Sequence, residues 1–193
     1  MPTHRHNFYE IILIELGSET QTIDDSKQEI SNNQVFFLSP YNVHNIDTAN
    51  IQKGTVVAFE ESVLYKTEED YLLLQTIIFG FSFDQKITID AEVAEKLKTY
   101  FTLLENEISS NLNSSEIIYS LLKIILVTIQ NKFKAEFKNT NQTNSNNTIF
   151  YQFLSLLNKH YKQEHSVEFY AKKLNLTAIN FTKMLQSVTN KIP

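Results

Sequence analysis

The sequence predicts an α+β protein with a β-sandwich or barrel at the N-terminus and helices after it. Residues 1–89 contain short β-branched and aromatic runs separated by turn residues, and residues 90–138 change to the apolar spacing of helices. Residues 139–148 contain no apolar side chain, which predicts a flexible linker. Residues 149–193 then form a second, all-α segment. A chain of 193 residues is long enough for one large domain or two small ones.

Three runs in the N-terminal segment are the clearest strands. They cover residues 9–16, 34–38 and 55–59, and each is rich in β-branched or aromatic side chains. Several short strands at this spacing are typical of a sandwich or barrel. Because the chain has only three glycines, we expect asparagine to occupy some left-handed turn positions.

Two helices are predicted in residues 90–138. Asp90 can cap the first, which places Leu97 and Phe101 on one apolar face. Asn113, with Glu116 three residues later, has the pattern of a capping box for the second.

The second of these helices carries a broad apolar surface, too wide for burial on one side only. It is either enclosed in its own domain or meets a second subunit. The pattern alone leaves both interpretations open, and the DNA-binding interpretation given below favours a homodimer. The predicted dimer interface consists of Ile117, Leu121, Ile124 and Ile125.

Charge and composition limit the classes of function that are open to this chain. From residue 149 onward there are six lysines and two glutamates, a balance of +4, while the rest of the chain has 11 basic and 20 acidic residues, a balance of −9. This contrast suggests that the basic C-terminal segment, and not the acidic remainder of the chain, binds a polyanion. The absence of cysteine excludes disulfides and thiolate metal sites. No signal peptide or membrane-spanning stretch is visible, so we expect a soluble, cytoplasmic protein.

The C-terminal segment has the pattern of a helix-turn-helix. Ser166 can cap a short helix whose inward side chains include Tyr170 and Ala171, and Asn175 can end it in the left-handed conformation. Thr177 can cap the next helix, whose inward face carries Phe181, Met184 and Leu185. In a helix-turn-helix this second helix enters the major groove of DNA.

The runs 166–177 and 181–191 resemble the DNA-binding domain of the AraC family of transcription regulators. The resemblance implies sequence-specific binding of double-stranded DNA by a recognition helix at residues 178–187. Ile179, Thr182 and Lys183 would face base edges, and Thr177 would hold a phosphate. The full set of DNA-binding residues that the resemblance implies is Thr177, Ile179, Asn180, Thr182, Lys183 and Gln186.

The family's DNA-binding unit has two helix-turn-helix motifs joined by a long helix. This sequence ends at Pro193, where that joining helix would begin, so we expect only the first motif, with the second absent. With fewer phosphate contacts, affinity for DNA should fall steeply with salt.

The pattern His4-x-His6-x-x-x-Glu10, followed by His44 after Pro40, resembles a cupin barrel, the sensor that AraC-type regulators often carry. The resemblance implies a cupin-like sensor barrel at residues 1–89. Its pocket for a small-molecule effector would be apolar, with polar groups supplied by His4, His6, Glu10 and His44. The same residue types suit Zn, Fe, Ni or Mn, so a metal-dependent cupin enzyme is the alternative. We expect no metal, no cofactor and no catalytic residues.

The sequence therefore predicts a ligand-responsive AraC-type regulator that is not an enzyme. Its predicted parts are a sensor barrel (1–89), a helical dimerisation region (90–138), a linker (139–148) and a first helix-turn-helix (149–193). A further alternative is a short form that dimerises with longer partners without binding DNA itself.

Overall fold

The computed structural model describes residues 2–24, 26–40, 42–83, 86–139 and 145–189. The chain divides into two compact units, Met1–Phe133 and Lys134–Pro193, and each is described by itself. Within the described residues, none of the helices is both long and apolar enough to cross a membrane.

In the described residues of the first unit, seven strands form two antiparallel sheets, and two helices lie between β6 and β7. One sheet has the order β6-β1-β4-β7 and the other has the order β3-β2-β5. The pairing among the described residues gives two sheets and closes no barrel, so the α+β class is confirmed at this level. The strands are β1 (Tyr9–Gly17), β2 (Glu19–Ile23), β3 (Ser26–Ile30), β4 (Gln34–Leu38), β5 (His44–Ile46), β6 (Ile51–Phe59) and β7 (Lys86–Thr88).

Strand β1 is buried on both faces. Its alternate residues Ile12 and Ile14 enter the core between the two sheets, together with Phe36 of β4. Ile11 and Leu13 point the other way and are also fully buried. A strand that is apolar on both faces needs a layer on each side, and helices supply the second layer.

Among the residues that the structure describes, four helices belong wholly or mostly to the first unit. They are α1 (Glu61–Leu64), α2 (Glu68–Phe83), α3 (Ala91–Ser109) and α4 (Ser115–Asn139). The prediction that residues 1–89 are strand-like is wrong for α1 and α2. The apolar run in α2 is buried on more than one side, because Phe81 stacks on Phe37 of β4 at 5.6 Å and meets Phe133 of α4 edge-on at 4.8 Å. Such burial removes the one-sided periodicity by which a helix is recognised.

The caps of the two following helices differ in how well they were predicted. The predicted cap at Asp90 is confirmed, since its carboxylate accepts a hydrogen bond from Val93 N at 2.9 Å. The predicted capping box at Asn113 is wrong by one residue, because Ser114 Oγ accepts from Ile117 N at 3.4 Å. Glu116 instead forms an ion pair with Lys66 at 2.7 Å, so it is not available to close a box.

The apolar surface of α4 is partly buried within the first unit. Ile125 is fully buried, with 0% of its surface exposed, so it cannot be part of a dimer interface as predicted. Ile124 is 42% exposed, Ile117 is also exposed, and Leu121 is half-buried. These three remain as an apolar stripe on the outer side of the helix.

The second unit contains α5 (Ser145–His160), α6 (Val167–Lys173) and α7 (Ala178–Thr189). Both ends of the predicted linker at 139–148 lie in helices, and residues 140–144 are outside the described part. In this polar stretch the Asn146 side chain donates a hydrogen bond to Ser187 Oγ of α7 at 3.1 Å. The division into sensor, dimerisation region, linker and helix-turn-helix stays a prediction.

The α6–turn–α7 arrangement follows the predicted local signals. Ser166 Oγ accepts from Phe169 N, Asn175 adopts a left-handed φ of 57°, and Thr177 Oγ1 accepts from Asn180 N. Phe181 and Met184 are buried as predicted. Phe153 of α5 meets the rings of both Tyr170 and Phe181 edge-on, so one aromatic cluster joins the three helices.

A buried carboxylate joins α2 to α4. Asp70 is fully buried, forms an ion pair with Lys123 Nζ at 2.6 Å and accepts a hydrogen bond from Tyr119 OH at 2.9 Å. The backbone amides of Lys66 and Thr67 also donate to it. Burial raises the pKa of Asp70, but the hydrogen bonds from Lys123, Tyr119 and Thr67 outweigh it and lower the pKa to about 2.

We expect Asp70→Asn to lower the free energy of unfolding at neutral pH by about 2 kcal/mol, because Lys123 loses its carboxylate. The folded pKa of about 2 lies below the ordinary value of 3.8, so the wild type has this contribution fully above pH 3.8 and loses it as the pH falls toward 2. The variant should lack this part of the acid dependence. Urea denaturation at neutral pH and at about pH 3 measures both effects.

Asp47→Asn is the matched control, since Asp47 is exposed and accepts only a local hydrogen bond from Ala49 N. Equal losses of stability in the two variants would contradict a special role for Asp70.

Candidate functional site

A cavity of about 420 Å³ lies against the inner face of β1, between that strand, β5 and β6. Its apolar walls include Ile12 and Ile14 of β1, Ile46 of β5, and Ile51 and Val56 of β6. Glu10, His44 and His4 give it one polar end. An apolar cavity with a few polar groups at one end is suited to a small amphipathic molecule.

The predicted pocket residues separate into two sets. The structure places His4, Glu10 and His44 on the cavity wall as predicted, whereas His6 lies beside Glu10 and is not among the residues that line the cavity. Sequence reasoning missed the polar residues Thr48, Gln52, Lys53 and Thr55, which also line it. Gln52, Lys53 and Thr55 lie on β6, and the pairing of this strand with β1, which brings them to the cavity, is not visible in the sequence.

The N-terminal segment is held in place by a backbone bridge to β5. His4 N donates to His44 O at 3.0 Å, and His44 N donates to His4 O at 2.9 Å. The two rings are 4.3 Å apart between centroids. This antiparallel bridge brings the start of the chain to the polar end of the cavity.

The loop before His44 is held by Asp24 from the turn between β2 and β3. Asp24 Oδ1 accepts a hydrogen bond from Val43 N at 2.9 Å, and its other oxygen accepts one from the Asn42 side chain. Asn42 in turn accepts from Ser39 N at 2.7 Å. Asp24 itself has a φ of 45°, a conformation that aspartate tolerates better than most residues.

Three polar side chains meet at the end of the cavity. Glu10 Oε2 lies 3.2 Å from His6 Nε2 and 3.9 Å from His44 Nε2. The side chains of His6 and His44 are only 8% and 4% exposed. His6 Nδ1 donates to the carbonyl of Phe8 at 2.9 Å, and the two rings stack at 4.0 Å. The ligand atoms of His6, Glu10 and His44 all lie within 4.8 Å of one another, close enough for the three to hold a metal ion.

The charge state of His44 follows from its surroundings. Burial lowers its pKa, the neighbouring His4 lowers it further, and the Glu10 carboxylate raises it in part. The ring is therefore neutral at neutral pH, and it offers both a donor and an acceptor nitrogen to a bound molecule.

The residues predicted to contact DNA lie on α7 and just before it, and they differ in exposure. Ile179 is 69% exposed, and Asn180 and Lys183 are exposed as well. Thr182 and Gln186 are half-buried, and the exposed Thr177 uses its hydroxyl oxygen as the helix cap.

The two sheets and the cavity with its polar end form the candidate binding site of the first unit. The chain belongs to the AraC-like ligand binding domain family, whose model matches residues 1–122. No curated protein matches the chain in sequence.

Solved structures of AraC-type regulators are among those similar to the chain. The AraC-like transcriptional activator CuxR is 11% identical with a TM-score of 0.43, over 94% of this chain and 61% of that chain. ToxT from Vibrio cholerae is 12% identical with a TM-score of 0.40, over 98% of this chain and 89% of that chain. This chain thus spans less than two thirds of the length of CuxR.

We expect Asp24→Ala to lower the free energy of unfolding by about 1–2 kcal/mol, because it removes two hydrogen bonds to the loop before His44 and leaves alanine in a left-handed conformation. Asp24→Asn keeps one acceptor oxygen and tolerates that conformation, so it should lose about half as much or less. Urea denaturation of the two variants and the wild type gives the comparison, and equal stability of the two variants would show that Asp24 does not hold the loop.

Proposed function

We propose that the protein is a ligand-responsive transcription regulator of the AraC type. The observation that carries the proposal is the combination in one chain of a family-matched ligand-binding domain and a helix-turn-helix. The second helix of that motif, α7, presents the exposed Ile179 and Lys183. In this proposal the cavity of the first unit binds a small-molecule effector, and the second unit binds double-stranded DNA.

The chemistry of the cavity indicates the kind of effector. Ile12, Ile14 and Ile46 offer an apolar wall for the body of the molecule. Glu10 and the histidines His4 and His44 lie at one end, where they can orient a polar group by hydrogen bonds. The effector is accordingly a compact molecule with an apolar part and one polar end, held in a cupin-like double sheet.

The proposed contacts with DNA rest on the two faces of α7. Phe181 and Met184 fix the inward face by packing, which leaves Ile179 and Lys183 on the outward face. A lysine can donate to guanine O6 and N7, and an isoleucine can contact a thymine methyl group. Asn180, Thr182, Gln186 and the capping Thr177 complete the proposed interface, with less exposed surface from Thr182 and Gln186.

An effector can regulate such a protein only through a difference in affinity. If the cavity has two arrangements, the effector shifts their populations in proportion to how much better it binds one of them. By linkage, DNA that prefers the same arrangement raises the affinity for the effector by the same factor.

The proposed homodimer uses the outer stripe of α4. Ile117, Leu121 and Ile124 follow one another at spacings of four and three residues, as do the buried positions of paired helices. Val127 is exposed three residues further on and extends the stripe. Two such faces would bring two helix-turn-helix motifs together on one duplex.

Binding of DNA is tested by fluorescence anisotropy of a duplex of randomised sequence at two salt concentrations. We expect salt-sensitive binding that Lys183→Ala weakens by about tenfold, because an outward lysine contacts a phosphate or a base. Lys96→Ala removes the same charge from an exposed position on α3 and is the control. Equal affinities of Lys183→Ala and Lys96→Ala at both salt concentrations would contradict the role proposed for α7.

The dimer is tested by light scattering coupled to size-exclusion chromatography. We expect a dimer in the wild type and a monomer in Ile124→Lys, since a charge placed in the centre of the apolar stripe must be desolvated on association. Leu112→Lys changes an even more exposed leucine outside the stripe and should stay dimeric. A monomeric wild type, or an Ile124→Lys variant that remains a dimer, would refute this interface.

A further inference from the structure

The polar end of the cavity has the donor set of a metal centre. His6 and His44 supply imidazole nitrogens, and Glu10 supplies a carboxylate oxygen. We propose that His6, Glu10 and His44 together bind one divalent transition-metal ion. The sequence alone predicts no metal at these residues, whereas their geometry favours one.

The distances suit such an ion. In a tetrahedral site with ligands about 2.1 Å from the metal, the ligand atoms lie about 3.4 Å from one another. Glu10 Oε2 is 3.2 Å from His6 Nε2 and 3.9 Å from His44 Nε2, and all three ligand atoms lie within 4.8 Å. Small side-chain rotations are enough to close the set around an ion.

The hydrogen bonding of His6 is an independent indication. Its Nδ1 faces the carbonyl of Phe8 at 2.9 Å, and a carbonyl only accepts, so the proton of the neutral ring lies on Nδ1. Its Nε2 then carries a lone pair, is buried and has no hydrogen-bond partner. That lone pair lies 3.2 Å from the Glu10 carboxylate, an arrangement that needs a positive charge between the two atoms, supplied by a second proton on the ring or by a metal ion. A backbone carbonyl that fixes the tautomer in this way is also typical of histidines that bind metals.

His44 brings a second imidazole to the same carboxylate. Its Nε2 lies 3.9 Å from Glu10 Oε2, and its side chain is only 4% exposed. Buried polar atoms are nearly always paired, so the unbonded Nε2 of His6 beside this carboxylate points to a missing partner. By contrast, the buried Asp70 carboxylate is satisfied on every side by the chain itself.

The ligands come from three segments that backbone pairing already holds in position. Glu10 is on β1, which pairs with strands on both sides, and His44 is on β5. The bridge between His4 and His44 holds the segment that carries His6. Two imidazoles and one carboxylate, with no thiolate, suit Zn²⁺, Ni²⁺, Fe²⁺ or Mn²⁺.

Three protein ligands leave a coordination position open, as in catalytic zinc sites. Glu10 and His44 line the cavity, so that position faces it. A bound ion would therefore recognise an effector that has a carboxylate or another electron-donating group at one end. This last step rests on the proposed function, whereas the metal site itself does not.

The test uses the full chain, purified without a metal-affinity tag and stripped with EDTA. Co²⁺ is titrated in and followed by its visible d–d absorption, and retained Zn²⁺ is measured by elemental analysis after dialysis. We expect about one ion per chain, and at least about 100-fold weaker binding in His6→Ala and in Glu10→Gln, each of which removes one ligand. His165→Ala removes an exposed histidine outside the cluster and should bind as the wild type does.

Thermal melting with and without Zn²⁺ checks that each variant is folded and gives a second readout. The ion should raise the melting temperature of the wild type and of His165→Ala, and leave His6→Ala and Glu10→Gln unchanged. Absence of a Co²⁺ band and of retained Zn²⁺ in the wild type would overturn the proposal, as would undiminished binding in both ligand variants.

None of these readouts involves DNA, so the two proposals fail separately. A chain that binds the ion but no duplex would retain this site and lose the proposed regulator. A chain that binds duplex but no ion would retain the regulator and lose this site.

Discussion

The burial of β1 on both faces is the constraint on which the first unit depends. Its side chains alternate, so Ile12 and Ile14 fill the space between the sheets while Ile11 and Leu13 turn to the opposite side. Glu10 belongs to the same face as Ile12, and this register alone places a carboxylate at the end of the cavity. A slip of one residue would turn that carboxylate away from the cavity toward the opposite face, which is also buried, so the register that folds β1 also sets the position of the site.

The first unit solves the burial of carboxylates in two different ways. Asp70 joins α2 to α4. Its carboxylate pairs with the Lys123 ammonium group and accepts hydrogen bonds from the Tyr119 hydroxyl and two backbone amides. These interactions lower its pKa and make it a structural group. Glu10 is also shielded from water, but the groups next to it are two imidazoles, and the Nε2 of His6 has no hydrogen-bond partner. Since desolvated polar groups are costly without partners, the first arrangement is complete by itself and the second is suited to a ligand.

Local signals predicted much of the fold, and long-range packing accounts for what they missed. The strands around residues 9–16 and 34–38 and the caps at Asp90 and Ser166 depend on neighbours in the sequence, and the structure contains them. Helix α2 was not predicted because its apolar side chains pack against more than one element, as Phe81 does against β4 and α4, and so show no one-sided periodicity. Ile125 was assigned to the outer surface because a helical stripe does not show which edge faces the core. The site was predicted only in part. The sequence pattern contained His4, His6, Glu10 and His44. Only the structure shows that Gln52 and Lys53 join the cavity wall and that His6 lies beside Glu10, outside the lining.

In the second unit, the cap of α7 bears on the proposed role of Thr177. Its Oγ1 accepts a hydrogen bond from Asn180 N, an interaction that helps to fix where the helix begins. A hydroxyl group accepts through its lone pairs and still has one proton to donate. Thr177 can therefore cap α7 and donate to a phosphate at the same time, and the positive end of the helix dipole favours an anion at that place. In the proposed complex, the packing of Phe181 and Met184 would set the position of Lys183 relative to that phosphate, so the core of this small unit would determine the register of α7 on DNA.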